Sequence, residues 1–358
     1  MRPSKQGKMI HSIKQMKIVA ALLLLSACLQ PGLSATFTAP PLKSLDLEVY
    51  RDPYNDSLGL VRDSVKKYMS ESNFASLESL AKKCAERPKA SPNGYTHTDI
   101  FFDAFDMNGL TEPEFKTWQE KFQKWRALYP NSDVATLAEA FYWLEYAWVA
   151  RGSGYANTVS DEGWRRFSMR QQKAKALLDS IPQKQRTPSW YVCMLRLAQN
   201  LEMPDEEHNK LYAEAITAFP GSTSVYFRQA IDYLPRWGGS AELWEQFAAE
   251  SIKKAGKVDP LKGDALYTQI VYMLLIDWGE SDYSKVDSEK LHKGFDAMRK
   301  LYPKDPTIDA MEARLALAME NYALARQVFK TIGPVVDIVV WNSKRNFIKM
   351  REKAFANK

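Results

Sequence analysis

The sequence predicts an all-α fold, a solenoid of paired antiparallel helices, and three observations carry that expectation. Apolar residues recur at helical spacing: Tyr212, Ala215, Ile216 and Phe219 in one run, Phe227, Ala230, Ile231 and Leu234 in the next. Pro220 separates these two runs, because a proline pushes the residue before it out of the α conformation. Prolines then stand at 130, 182, 220, 260 and 303, spaced 52, 38, 40 and 43 residues apart. Periods near 40 belong to stacked helix pairs, since one pair cannot cover its own apolar face.

Taken in order, residues 1–28 read as an export signal. They carry five basic residues and no acid, and Ile18–Ala27 is an apolar run too short to span a bilayer. Leu25-Ser26-Ala27-Cys28 follows and resembles the lipobox of bacterial lipoproteins, which implies lipid on Cys28; residue 29 is Leu rather than Asp, which by resemblance to enterobacterial sorting implies the periplasmic side of the outer membrane. The alternative is ordinary cleavage after Ala35 and a secreted or periplasmic soluble protein. Removing residues 1–28 lowers the net charge from +6 to +1, which gives no reason to expect a nucleic-acid partner. Residues 29–55 read as a flexible tether, and 56–358 as the helical-repeat domain with a loop insertion at 151–163.

Within that domain Asp56–Glu71 is a predicted helix, and Asn73 caps the next, whose stripe is Phe74, Leu77, Leu80, Ala81 and Cys84. Residues 87–99 (RPKASPNGYTHTD) have the composition of a surface loop. Four residues precede Pro130 at 12, 8, 5 and 1 positions: Trp118, Phe122, Trp125 and Tyr129. The same offsets give Leu291, Phe295, Met298 and Tyr302 before Pro303. Ser132, Ser222 and Asp305 stand two residues after their prolines, placed to cap the following helices. Cys84 and Cys193 lie in apolar helical runs, so two separate buried thiols are expected rather than a disulfide.

The last unit, Asn321-Tyr322-Ala323-Leu324-Ala325 with Phe329, resembles the second half of a tetratricopeptide repeat, which implies close helix pairing. Val335–Lys358 reads as the cap of the stack. Three segments, Ala147–Gly154, Trp164–Phe167 and Leu234–Ser240, resemble motifs of an uncharacterised bacterial domain-of-unknown-function family. That resemblance implies helical repeats and brings no activity.

No catalytic constellation stands out. Gly152-Ser153-Gly154 lacks the order of a nucleophile elbow, His97 and Asp99 read as a solvated loop, and Asp205-Glu206-Glu207-His208 as acids at a helix N-terminus. No metal-ligand spacing and no cofactor motif is present. The candidate surface for a protein partner consists of Arg151, Tyr155, Trp164 and Arg165 in one set and Arg236 and Trp237 in another, since Trp and Arg are enriched at binding hot spots. The expected function is an interaction scaffold with an extended concave face. The alternative is an envelope hydrolase acting through paired carboxylates, and a sugar-binding module with open Trp faces is a third reading.

Overall fold

The computed structural model describes residues 46–357 except 52, 107–109, 153 and 155. Cys28 and Tyr155 lie outside the described residues, as do the signal and most of the tether. The described chain is built from helices alternating between an outer and an inner layer. The outer layer holds α2 (Phe74–Ala85), α4 (Glu112–Leu128), α6 (Asp161–Asp179), α8 (Asp205–Ala218), α10 (Ala241–Gly256), α12 (Ser288–Leu301) and α14 (Tyr322–Ile332). The inner layer holds α3 (His97–Asp103), α5 (Asp133–Arg151), α7 (Pro188–Asn200), α9 (Thr223–Asp232), α11 (Pro260–Tyr272, prolonged by a π turn over Met273–Asp277) and α13 (Thr307–Ala318). Helix α1 (Pro53–Ser70) packs on α2 and α3 at the start. Among the described residues no helix is long and apolar enough to cross a membrane.

Four of the five spaced prolines fall in connections from an outer to an inner helix, and the fifth, Pro260, is the first residue of the inner helix α11. The residues before three of them, Tyr129, Phe219 and Tyr302, adopt nearly one conformation, with φ/ψ of −126/66, −135/63 and −130/68. Each donates its backbone N–H four residues back, closing the outer helix before the proline ends it. Ser132 caps α5 through Ala135 N (3.0 Å), Asp305 accepts from Thr307 N (3.0 Å), and Asn73 caps α2 through Ser76 N (3.2 Å), as expected. Ser222 does not: its Oγ lies 3.2 Å from Ser224 Oγ and caps no backbone group. The long first interval is filled by α5 and α6, 19 residues each, with α5 ending at Arg151 and α6 starting at Asp161.

The stack does not end in two free faces. Residues Glu48–Tyr50, within the stretch expected as tether, form strand β1, which pairs in parallel with β2 (Val335–Asp337). Leu47 is buried beside it, and Lys344 Nζ donates to the Leu47 carbonyl (2.7 Å). After β2, α15 (Ile338–Trp341) and α16 (Lys344–Ala356) complete the seam, with Trp341 and Phe347 fully buried. The curved double layer therefore closes on itself.

Residues 87–96, expected at the surface, lie instead across one end of the ring. Ser91 and Gly94 are buried. The loop's carbonyls find donors on distant helices: Tyr302 Oη donates to Ala90 O (3.0 Å) and Gln269 Nε2 to Pro92 O (2.8 Å). Gly94 takes φ +93, and a Cβ there would stand 2.7 Å from Thr223 Cγ2 and 2.8 Å from Phe227 Cζ, so only glycine fits. The composition read as solvent-facing because Pro, Asn and Gly favour turns. Donors from α11 and from Tyr302, just past the end of α12, make burial of that turn affordable.

Candidate functional site

Closure of the ring encloses a cavity of about 930 Å³ on its axis. One end is lined by Asn93 and Tyr95 of the crossing loop and by first-turn residues of inner helices, Ser189, Ser224 and Thr307. The other is lined from helix C-termini by Trp148, Asn200, Trp237 and Trp278. The shape is a cup whose floor is the loop and whose mouth is rich in tryptophan.

Four of the six candidate binding residues meet at that mouth or beside it. Trp237 packs edge-on against Trp148, ring centroids 6.0 Å apart. The Arg151 guanidinium lies between Trp148 (5.1 Å) and Trp164 (5.4 Å), and burial lowers its pKa. Arg236 sits over Trp278 (5.7 Å) and donates to its carbonyl. Trp164 is 37% exposed. Arg165 points elsewhere: it grips Glu162 with two bonds (2.7 and 2.8 Å) on the outer surface, and with Arg166 holds that carboxylate down at about 2. Gly238 supplies the left-handed turn after Trp237 (φ +86), and a Cβ on Gly239 would fall 1.8 Å from the Tyr233 carbonyl oxygen. These glycines fix where the Trp237 ring enters the rim.

The deeper wall was not singled out by the sequence. Arg228 of α9 is 7% exposed and donates to Asp232 and to Gln199 Oε1. His208 Nε2 lies 3.0 Å from the other Asp232 oxygen. Arg196 of α7 donates to Glu145 of α5. Burial lowers the Arg228 pKa, against the attraction of Asp232. Four buried N–H groups of cavity-lining side chains have no acceptor: Arg228 Nε, Gln199 Nε2, Asn200 Nδ2 and Trp237 Nε1.

Carboxylates occupy the opposite side. Asp103 pairs with Arg62 of α1 (2.8 Å). Asp99 accepts from Thr96 N (2.8 Å) and Thr96 Oγ1 (2.7 Å) as a capping box for α3, so it is not the partner of His97. His97 is buried, with Nε2 2.7 Å from Ser57 Oγ and its ring edge-on to Tyr54. The expectation of a solvated loop there is wrong because α3 begins at His97 itself. Asp99, Asp103 and Asp277 all raise the Tyr95 hydroxyl pKa further, after burial, which places the three around one phenol.

Asp277 ends the π turn and lines the cavity, exposed to it but with much of the fold close by. Desolvation raises its pKa from 3.8 to about 6, against the attraction of Arg314. The unfolded chain takes up this proton near pH 4 and the folded chain near pH 6. Between those values the folded state binds more protons, so this group's contribution to stability falls as pH rises and is level above about 6. Asp277→Asn is expected to match the wild type in Tm near pH 4 and exceed it by a margin that grows to pH 7. Thermal unfolding followed by circular dichroism across that range checks it; a constant margin would contradict the assignment.

Cys84 and Cys193 are free and buried, as expected, and burial pushes the Cys84 thiol up to about 11 and the Cys193 thiol well above its usual value. Among the described residues no three His, Cys, Asp or Glu side chains gather to hold a metal ion.

The pattern of a family described as domain of unknown function (DUF4034) matches residues 62–206. That span runs from α1 to the start of α8 and includes Trp148, Arg151 and Trp164, but not Arg236 or Trp237. No curated protein and no solved structure matches the chain.

Proposed function

We propose that this protein acts by binding: it holds a polar guest inside the cup and releases it unchanged. The observation that supports this is one cavity of about 930 Å³ that brings the rings of Phe141, Trp148, Trp237 and Trp278 together with the carboxylates of Asp99, Asp103 and Asp277. The volume suits a ligand pocket. A protein partner, on the scaffold reading, would meet the rim of Arg151, Trp164 and Arg236 rather than an extended inner face. The three family-like motifs carry rim residues, and tetratricopeptide-like pairing would make the wall rigid. The place of action on this reading is the cell envelope, with lipid on Cys28 as the anchor; its support is the sequence of residues 1–28.

One observation favours the hydrolase as a second reading: Asp277, with its pKa near 6, stands among carboxylates in the cavity, as a general acid would.

The test uses Val192→Trp, which adds an indole to the cavity wall. Native mass spectrometry is run after mixing each protein with the low-molecular-mass fraction of an envelope extract. The wild type is expected to gain a defined mass that the variant does not, and the released compound to have its original mass. Equal uptake by both proteins would sink the cavity reading. A shortened product would replace binding with hydrolysis.

A further inference from the structure

The lining of the cup is short of positive charge. Five carboxylates border the cavity, those of Asp99, Asp103, Asp106, Glu145 and Asp277, against the guanidinium groups of Arg62, Arg196, Arg228 and Arg314. Arg228 is moreover paired with a sixth acid outside the lining, Asp232. Arg151 and Arg236 stay at the rim, each held against a tryptophan. Asp99, Asp103 and Asp277 each push the Tyr95 phenol further up, as a negative interior does. A carboxylate or phosphate guest would add to the excess, whereas a cation offsets it.

Asp277 is where that cation is most needed. Its side chain is exposed to the cavity, and among the described residues no group hydrogen-bonds to its carboxylate or forms an ion pair with it. Arg314 attracts it only from farther off and donates to the Val340 carbonyl instead (2.6 Å). The fold thus bears a partly desolvated charge that makes no bond of its own. A metal ion does not suit the place, because no three ligating side chains gather among the described residues, and aromatic rings line the rest. An ammonium ion on an apolar body does. Its N–H groups donate to the carboxylate, and ring faces attract the positive charge. Trp237 and Phe141 line the cavity, and among the described residues no cation lies over either ring. We infer that the cup takes a small organic amine as its ammonium ion, with the charged nitrogen on the Asp277 carboxylate and the apolar body against Phe141, Trp148 and Trp237. This rests on the cavity reading above.

The test is isothermal titration of the whole protein at pH 7.5 with compounds matched in shape and different in charge. They are 3-phenylpropylamine against 3-phenylpropanol and 3-phenylpropanoate, and 1,5-diaminopentane against 1,5-pentanediol. At least one amine is expected to bind about tenfold or more tightly than its alcohol, and the carboxylate not to bind. In Asp277→Asn that advantage is expected to shrink about tenfold. The variant is isosteric and is expected to be the more stable protein at this pH, so unfolding would not account for the loss. Saturation-transfer NMR on the wild type, reading the methylene protons of the amine, gives a second measure of binding. An alcohol or carboxylate that binds as well as its amine overturns the assignment, and so does an amine preference that Asp277→Asn leaves intact. If no amine binds yet the wild type still takes up an extract component that Val192→Trp excludes, the amine assignment falls alone. If that uptake fails too, the cavity reading falls with it.

Discussion

Trp125→Ala is expected to lower stability by about 3–5 kcal/mol, the range for deleting a fully buried large aromatic. Trp125 is 0% exposed and lies in α4, stacked against Phe74 of α2 (centroids 5.9 Å, planes 8° apart) and Phe122 (6.4 Å, 17°). Its Nε1 donates to Glu78 Oε1 (2.8 Å), an oxygen that also accepts from Ser132 Oγ (2.6 Å), the residue that caps α5. One indole thus joins α2, α4 and the start of α5. The alanine would leave a cavity and remove one of the two bonds to the Glu78 carboxylate. Trp125→Phe keeps most of the aromatic area while it removes the N–H and part of the indole, so a smaller loss of about 1–3 kcal/mol is expected. Urea denaturation separates the two. A loss under about 1 kcal/mol for the alanine variant would mean the packing around α4 is not as described.

Asp232→Ala is expected to cost a similar amount, about 3–5 kcal/mol, for a different reason: it strands a buried guanidinium. Arg228 keeps Gln199 as a neutral partner, but its charge would face no acid within the α9 wall. The double variant Arg228→Met with Asp232→Leu is expected to recover most of the loss, because two apolar side chains carry no desolvation cost. A double-mutant cycle measured by urea denaturation gives the coupling; additive losses would show that the pair is not energetically linked.

The outer helices and their stops were legible in the sequence. Tyr129, Phe219 and Tyr302 before their prolines mark three positions with one backbone geometry, because the constraint is local: proline restricts its predecessor wherever it stands. Closure of the ring was not legible. It depends on two three-residue strands from opposite ends of the described chain, and such short segments carry no period to detect. The crossing loop was misread for a related reason: what makes it interior is Gln269 and Tyr302, far along the chain.

The candidate site divides the same way. Arg151, Trp164, Arg236 and Trp237 stood out as aromatic and basic residues beside glycines. Gln199, Asn200, Arg228 and Asp277 did not, because the inner helices bear buried residues on most sides, so periodicity does not say which side looks inward. In α5, for instance, Ala135 to Ala140 are buried without interruption.

An open stack can fray, shedding a terminal layer while its middle stays intact. A hoop sewn shut at Glu48–Tyr50 and Val335–Asp337 has no terminal layer to shed. Trimming either tail past the stitch should therefore loosen material a full circumference away. Tension applied through the chain ahead of Asp46 would reach the stitch first, and from there both rims at once.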